Sequence, residues 1–171
     1  MVAALAIAAC APPSTADDPD VVPPVLGQAA IEAWFDAGHY LRWACEPAAH
    51  DAAAPSPHGR IRLCANPIAT GDPLGVAQID AALVLEIVDP GGAIVGRGAQ
   101  RHTRTQTGGV ADGSADGSDW YWYMRVPADS ATVHDASGLA ADGWGFEGPP
   151  QTYCSACHQM APDLVFAMPL P

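Results

Sequence analysis

The spacing of apolar residues shifts along this chain from helical to alternating. Ile31, Trp34, Phe35, Leu41 and Cys45 fall near a 3.6-residue period, which predicts a helix over residues 28–45 with a soft point at Gly38. Residues 46–57 are rich in alanine and proline and read as a loop. Arg60-Ile61-Arg62-Leu63-Cys64 alternates polar and apolar side chains, as a half-buried strand does. Residues 82–88 are a nearly continuous apolar run. Asp89-Pro90-Gly91-Gly92 then supplies a turn and residues 93–97 begin a second strand, so residues 82–104 predict a hairpin. Residues 75–80 read as a short helix or a lead-in to that hairpin. Trp120-Tyr121-Trp122-Tyr123 is strongly β-prone, and rings on both of its faces predict that both are covered. Residues 127–150 read as loop, and Leu164-Val165-Phe166-Ala167 as a short last strand. The pattern predicts an α+β, β-dominated fold: an antiparallel sheet with an N-terminal helix.

A length of 171 residues suits one domain, and 17 glycines with 17 prolines favour turns over long helices. The formal net charge of −12 excludes nucleic acid as a partner, because phosphate binding needs clustered cations. All seven basic residues are arginines, and there is no lysine. The repeated Ala-Asp-Gly-Ser at 111–118 spaces its aspartates wrongly for a calcium loop and lacks a closing glutamate, so a solvated hairpin loop is expected.

The most specific chemistry lies in Cys154-Ser155-Ala156-Cys157-His158, a C-x-x-C-H run of the kind that attaches haem c. Two thiols three positions apart can add to the two vinyl groups of one haem, and the adjacent histidine then supplies an axial nitrogen. The competing readings of a bare C-x-x-C are a redox dithiol, half a zinc site and a disulfide partner. A redox dithiol belongs near the start of a βαβ unit, whereas this motif follows Gly-Pro-Pro with only 13 residues after it. A zinc site needs a second ligand pair at matching spacing, and Cys45 and Cys64 do not provide one.

Residues 1–10 are apolar, too short to span a bilayer, and resemble a lipoprotein-type signal segment ending at a lipidated Cys10. Residues 11–27 read as a flexible Pro/Asp-rich tether and residues 28–171 as the haem domain. A periplasmic or outer-membrane-anchored protein is therefore expected, held to the membrane through its lipid alone. Cys45 and Cys64 remain, and an oxidising compartment allows them to pair, tying the first helix to the first strand; two buried free thiols are the alternative.

The other face of the iron is open to several candidates. Met160 stands too close to His158 to reach round, whereas Met168 is ten residues on, a reach of roughly 33 Å when extended. His39, His50, His58, His102 and His134 are each more simply surface or hydrogen-bonding residues, His58 being the foremost ligand candidate. His58, Arg62 and Leu85 are the distal candidates, with Phe35, Leu63 and Leu85 as apolar caps. An apolar pocket tolerates nitric oxide, whereas His58 or Arg62 aimed at the iron favours peroxidase-like chemistry. Arg60, Arg62 and Arg101 are candidate partners for the haem propionates, or ordinary ion-pair residues.

The ordered features resemble the cytochrome P-460 and cytochrome c′-beta family of β-rich monohaem c proteins. They are a helix bearing Trp34, Tyr40 and Trp43; Pro57-His58-Gly59-Arg60-Ile61-Arg62 closing with Asn66; the hairpin at 82–104; the aromatic strand; and C-x-x-C-H near the end. The resemblance covers roughly residues 28–167, and only the haem motif within it is highly specific. It implies a largely antiparallel sheet, often a homodimer, one covalent haem c on His158 and an opposite face open to nitric oxide. Catalytic members oxidise hydroxylamine and carry a lysine cross-linked to the haem, which by register falls near Leu85. This chain has no lysine, so the resemblance favours the gas-binding type. A small gaseous or nitrogenous ligand and an unidentified redox partner are thus expected. A six-coordinate electron-transfer cytochrome is the alternative, and a hydroxylamine or nitric oxide oxidoreductase or peroxidase-like enzyme a third possibility.

Overall fold

A computed structural model of the chain describes residues 18–53, 56–71, 78–103 and 119–144, together with Cys154, Cys157 and His158. The expectations for Cys10, the 107–118 loop, Met160, Met168 and the strand at 164–167 fall outside these residues.

The helix α1 spans Gln28–Asp36, and a 3-10 turn follows over His39–Arg42. Seven strands then form one sheet: β1 (Ala44–Cys45), β2 (His50–Asp51), β3 (Arg60–Ala65), β4 (Ala82–Val88), β5 (Ile94–His102), β6 (Trp120–Arg125) and β7 (Leu139–Trp144). A short helix α2 (Pro67–Gly71) leaves the end of β3. The sheet order is β1-β3-β4-β5-β6-β7, with β2 also on β3, and every pairing is antiparallel. The β-dominated class read from the pattern and the 82–104 hairpin are both present. Among the described residues no helix is long and apolar enough to cross a membrane.

Local chemistry explains the departures. The helix expected to run to residue 45 stops at Asp36, because Gly38 adopts a left-handed φ of 72° that glycine takes at no steric cost. Cys45 is therefore on a strand, and its disulfide to the directly opposite Cys64 ties β1 to β3 rather than a helix to a strand. The stretch read as loop contains β7, whose small residues Ala140, Ala141 and Gly143 give weak strand propensity alone and pair against the large rings of β6. Residues 18–27, expected as the end of a tether, pack on the domain: Val22 and Pro23 are buried, and Asp20 pairs with His39 and Arg42.

Alternation gives the sheet two unlike faces. On one, Cys64, Ala82, Val84, Ala99, Tyr121 and Tyr123 pack against Ile31, Trp34, Phe35, Tyr40 and Trp43. This helix face is also closed in its polar groups. Tyr40 donates to Glu86 Oε1 at 2.6 Å, Arg62 Nε to Glu86 Oε2 at 2.6 Å, and Tyr123 to Glu32 Oε1 at 2.7 Å. The α1 N-terminus has no side-chain cap of its own; Asp142 on β7 accepts from the Gln28 backbone N–H instead, at 2.9 Å. On the other face, Ile68 and Ala69 of α2 cover Ala65, Ala81 and Trp120 at one end of the strands.

Asn66 joins these parts. It is fully buried; Nδ2 donates to the carbonyls of Val21 and Asp80, and Oδ1 accepts from the backbone N–H groups of Ala69 and Ala82. Asn66→Ala leaves four buried backbone groups to find partners, so a loss of about 3–5 kcal/mol is expected in urea unfolding at unchanged m-value. A loss below about 1 kcal/mol would contradict this role.

Candidate functional site

Beyond α2, the second sheet face lines a cavity of about 330 Å³, inside the ~300–1,000 Å³ range of ligand sites. Its floor is Ile61 and Leu63 of β3, Leu83 and Leu85 of β4, Gly98 and Gln100 of β5, and Trp122 and Met124 of β6. Its rim comes from two loops, through Pro57 and His58 before β3 and Ala131, Thr132 and Val133 after β6. Cys154, Cys157 and His158 all line the same cavity, and the His158 ring meets Trp122 edge-on with centroids 4.9 Å apart.

Gly98 leaves room that a side chain would occupy. It lies between Leu85 and Met124 in register, and a Cβ there would stand 3.0 Å from Met124 Cε and 3.3 Å from the Tyr123 carbonyl. Glycine inside a strand marks close approach of another group.

Two buried polar atoms on the floor also lack partners. Gln100 and Trp122 sit opposite each other in the β5–β6 register and are 9% and 5% exposed, yet Gln100 Nε2 and Trp122 Nε1 have no hydrogen-bond acceptor. The apolar floor, the unmet donors and the C-x-x-C-H residues together fit a largely apolar group with acceptor oxygens, as haem is. No group of three or more His, Cys, Asp or Glu among the described residues is placed to hold a metal ion.

Desolvation pushes the Cys154 thiol up to about 11, against a smaller opposing backbone hydrogen bond. A redox dithiol or zinc ligand acts as thiolate and needs the opposite shift, so the surroundings of Cys154 favour a neutral thiol. Desolvation likewise pushes the His58 imidazole down to about 4, with His158 lowering it further. His58 Nδ1 lies 3.4 Å from Thr132 Oγ1, which links the two rim loops.

Of the distal candidates, His58 and Leu85 reach the cavity, as does the apolar cap Leu63. Arg62 does not: it faces the helix side, bound to Glu86. Phe35 belongs to the helix-face core. The arginines expected at propionates are engaged elsewhere, since Arg101 pairs with Asp80 at 2.6 Å and donates to the Pro23 carbonyl, and Arg60 donates to the Ala49 carbonyl. The three arginines thus make ordinary ion-pair and backbone contacts, the alternative read from the sequence; for Arg60 and Arg62 alternation is the cause, because Ile61 and Leu63 face the cavity and their arginine neighbours point away. His39 pairs with Asp20, His102 stacks on Trp120, and His134 meets the Asp135 carbonyl; His50 lines the rim but contacts Glu46. Gly98, Gln100 and Thr132 escaped the sequence reading. Gly98 carried a usable signal, a glycine within an apolar hairpin; Thr132 carried none.

The chain has no significant match among protein-family models, curated proteins or solved structures. What defines it is a two-faced antiparallel sheet, one face sealed by an aromatic helix and the other opening on a cavity edged by C-x-x-C-H.

His58 stays neutral in the folded chain to about pH 4, whereas the unfolded imidazole takes its proton near 6.5. Between those values the unfolded chain binds more protons, so stability is lost as pH falls. In urea titrations of the cofactor-free protein, His58→Gln is expected to lose less stability than wild type from pH 6.5 to 4. Equal slopes would count against a desolvated His58.

Proposed function

We propose that this chain is an exported, lipid-anchored monohaem c protein of the cytochrome c′-beta type that binds a small nitrogenous ligand, nitric oxide above all. The observation that carries the reading is the gathering of Cys154, Cys157 and His158 at one apolar cavity whose floor is otherwise unfilled sheet. Cys154 and Cys157 would hold the group through thioether bonds, and His158, whose ring meets Trp122 edge-on, would supply a nitrogen to its iron. Haem iron with one neutral imidazole supplies a vacant coordination position and one-electron redox chemistry.

The rest of the task falls to the cavity walls. Leu63, Leu83 and Leu85 give the cavity apolar walls, which suits a nearly apolar diatomic. Leu85 stands where the resembling catalytic proteins carry their cross-linking lysine, so gas binding is favoured over hydroxylamine oxidation. His58, neutral and held near Thr132, is the polar group placed to donate a hydrogen bond to a bound ligand. A second reading has its own support. His58 lines the same cavity as His158, so it would be available as a second nitrogen ligand in a six-coordinate electron-transfer protein.

The visible spectrum of the reduced, matured protein tests both. Five-coordinate high-spin haem that binds nitric oxide is expected. Sharp low-spin bands that become high-spin in His58→Ala would favour the second reading. His158→Ala is expected to keep the covalent haem and lose normal ligation. Colourless protein from a host with working haem maturation, or a mass without one added haem, would end both readings.

A further inference from the structure

The helix face and the cavity face treat their buried donors differently. On the helix face the indole N–H of Trp34 reaches the Pro19 carbonyl and that of Trp43 the Asp20 carbonyl, at 2.6 and 2.9 Å. The hydroxyls of Tyr40, Tyr121 and Tyr123 each meet a carboxylate. Arg97 Nε lacks a partner there, but its guanidinium is held by Asp36 and lies over the Phe35 ring. On the cavity face Gln100 Nε2 and Trp122 Nε1 are both unmet, on directly opposed residues of neighbouring strands. Opposed residues hold their Cβ atoms about 4.5–5.5 Å apart, near enough for both donors to reach one two-oxygen group. Leaving a buried donor unmet is destabilising, a cost the helix face avoids almost throughout.

We propose that Gln100 and Trp122 together form a binding point for a carboxylate-like anion, an acceptor with two oxygens, within the cavity. The proposal rests on the haem reading. It commits to that chemistry, which two sources can supply: a propionate of the bound haem, or a free anion such as nitrite beside it. With Arg60, Arg62 and Arg101 engaged elsewhere, these uncharged donors take the role those arginines were expected to fill. Neutral N–H partners hold the anion by position rather than by net charge, and leave the cavity free of an added cation.

The test uses haem-loaded wild type, Gln100→Leu, Trp122→Phe and, as a packing control without a lost donor, Met124→Leu. Haem content by mass and near-ultraviolet circular dichroism are read first, so a failure of the haem reading shows in wild type itself. The propionate bending band in resonance Raman and nitrite affinity from the Soret band are then compared. A shifted propionate band in Gln100→Leu and Trp122→Phe, with nitrite affinity unchanged, assigns the anion to the haem. A loss of nitrite affinity of about ten-fold or more in those two variants, from a lost hydrogen bond to a charged group, with the band unmoved, assigns it to a free anion. Both readouts unmoved in folded, haem-loaded Gln100→Leu overturn the proposal, as does an equal shift in Met124→Leu.

Discussion

The constraint on which this structure depends is the two-residue period of its central strands. In β6 it sends Trp120, Trp122 and Met124 to one side and Tyr121, Tyr123 and Arg125 to the other. All four rings are buried, so neither side can be left to water. Amphipathic α1 and the 3-10 turn close one face with the chain's own aromatics. On the other, α2 is only five residues long and covers one end. Among the described residues, the remainder of this apolar face lines a cavity.

The polar groups follow the same division. Glu32, Glu86 and Asp142 are spent on tyrosines, arginines and a helix end of the first face. Glu86 of that network holds Arg62 on the first face, while Arg101 is held by Asp80 and the Pro23 carbonyl. On the second face the surroundings are largely apolar, with His58 desolvated in the cavity that His158 also lines and a pair of N–H groups without acceptors. An apolar cavity with unmet donors costs stability.

Much of the architecture was legible. The hairpin at 82–104 and the aromatic strand follow from runs too apolar and too β-prone for anything else. β7 was hidden because its alanines and glycine borrow order from the rings of β6, a tertiary effect on a weak local signal. Helix length was overestimated because Leu41 and Cys45 continued a helical spacing that Gly38 had already ended; Leu41 is in fact exposed. At the site, Cys154, Cys157 and His158 stood out because the C-x-x-C-H run is contiguous in sequence, and all three line the cavity. Arg62 was misplaced although the alternation already assigned its side: Leu63 inward forces Arg62 outward.

The sequence alone determined the class of sheet, the attachment motif and the absence of any lysine for a cross-link, since each is a matter of local spacing or composition. Tertiary structure alone decided that His58 and Leu85 share a cavity with His158, that Asp142 caps a helix 114 residues away, and that Gln100 and Trp122 stand unmet across two strands. Those pairings arise from strand register and from loops meeting over a sheet. Register is set by every strand packing at once, so no stretch of the chain carries it alone.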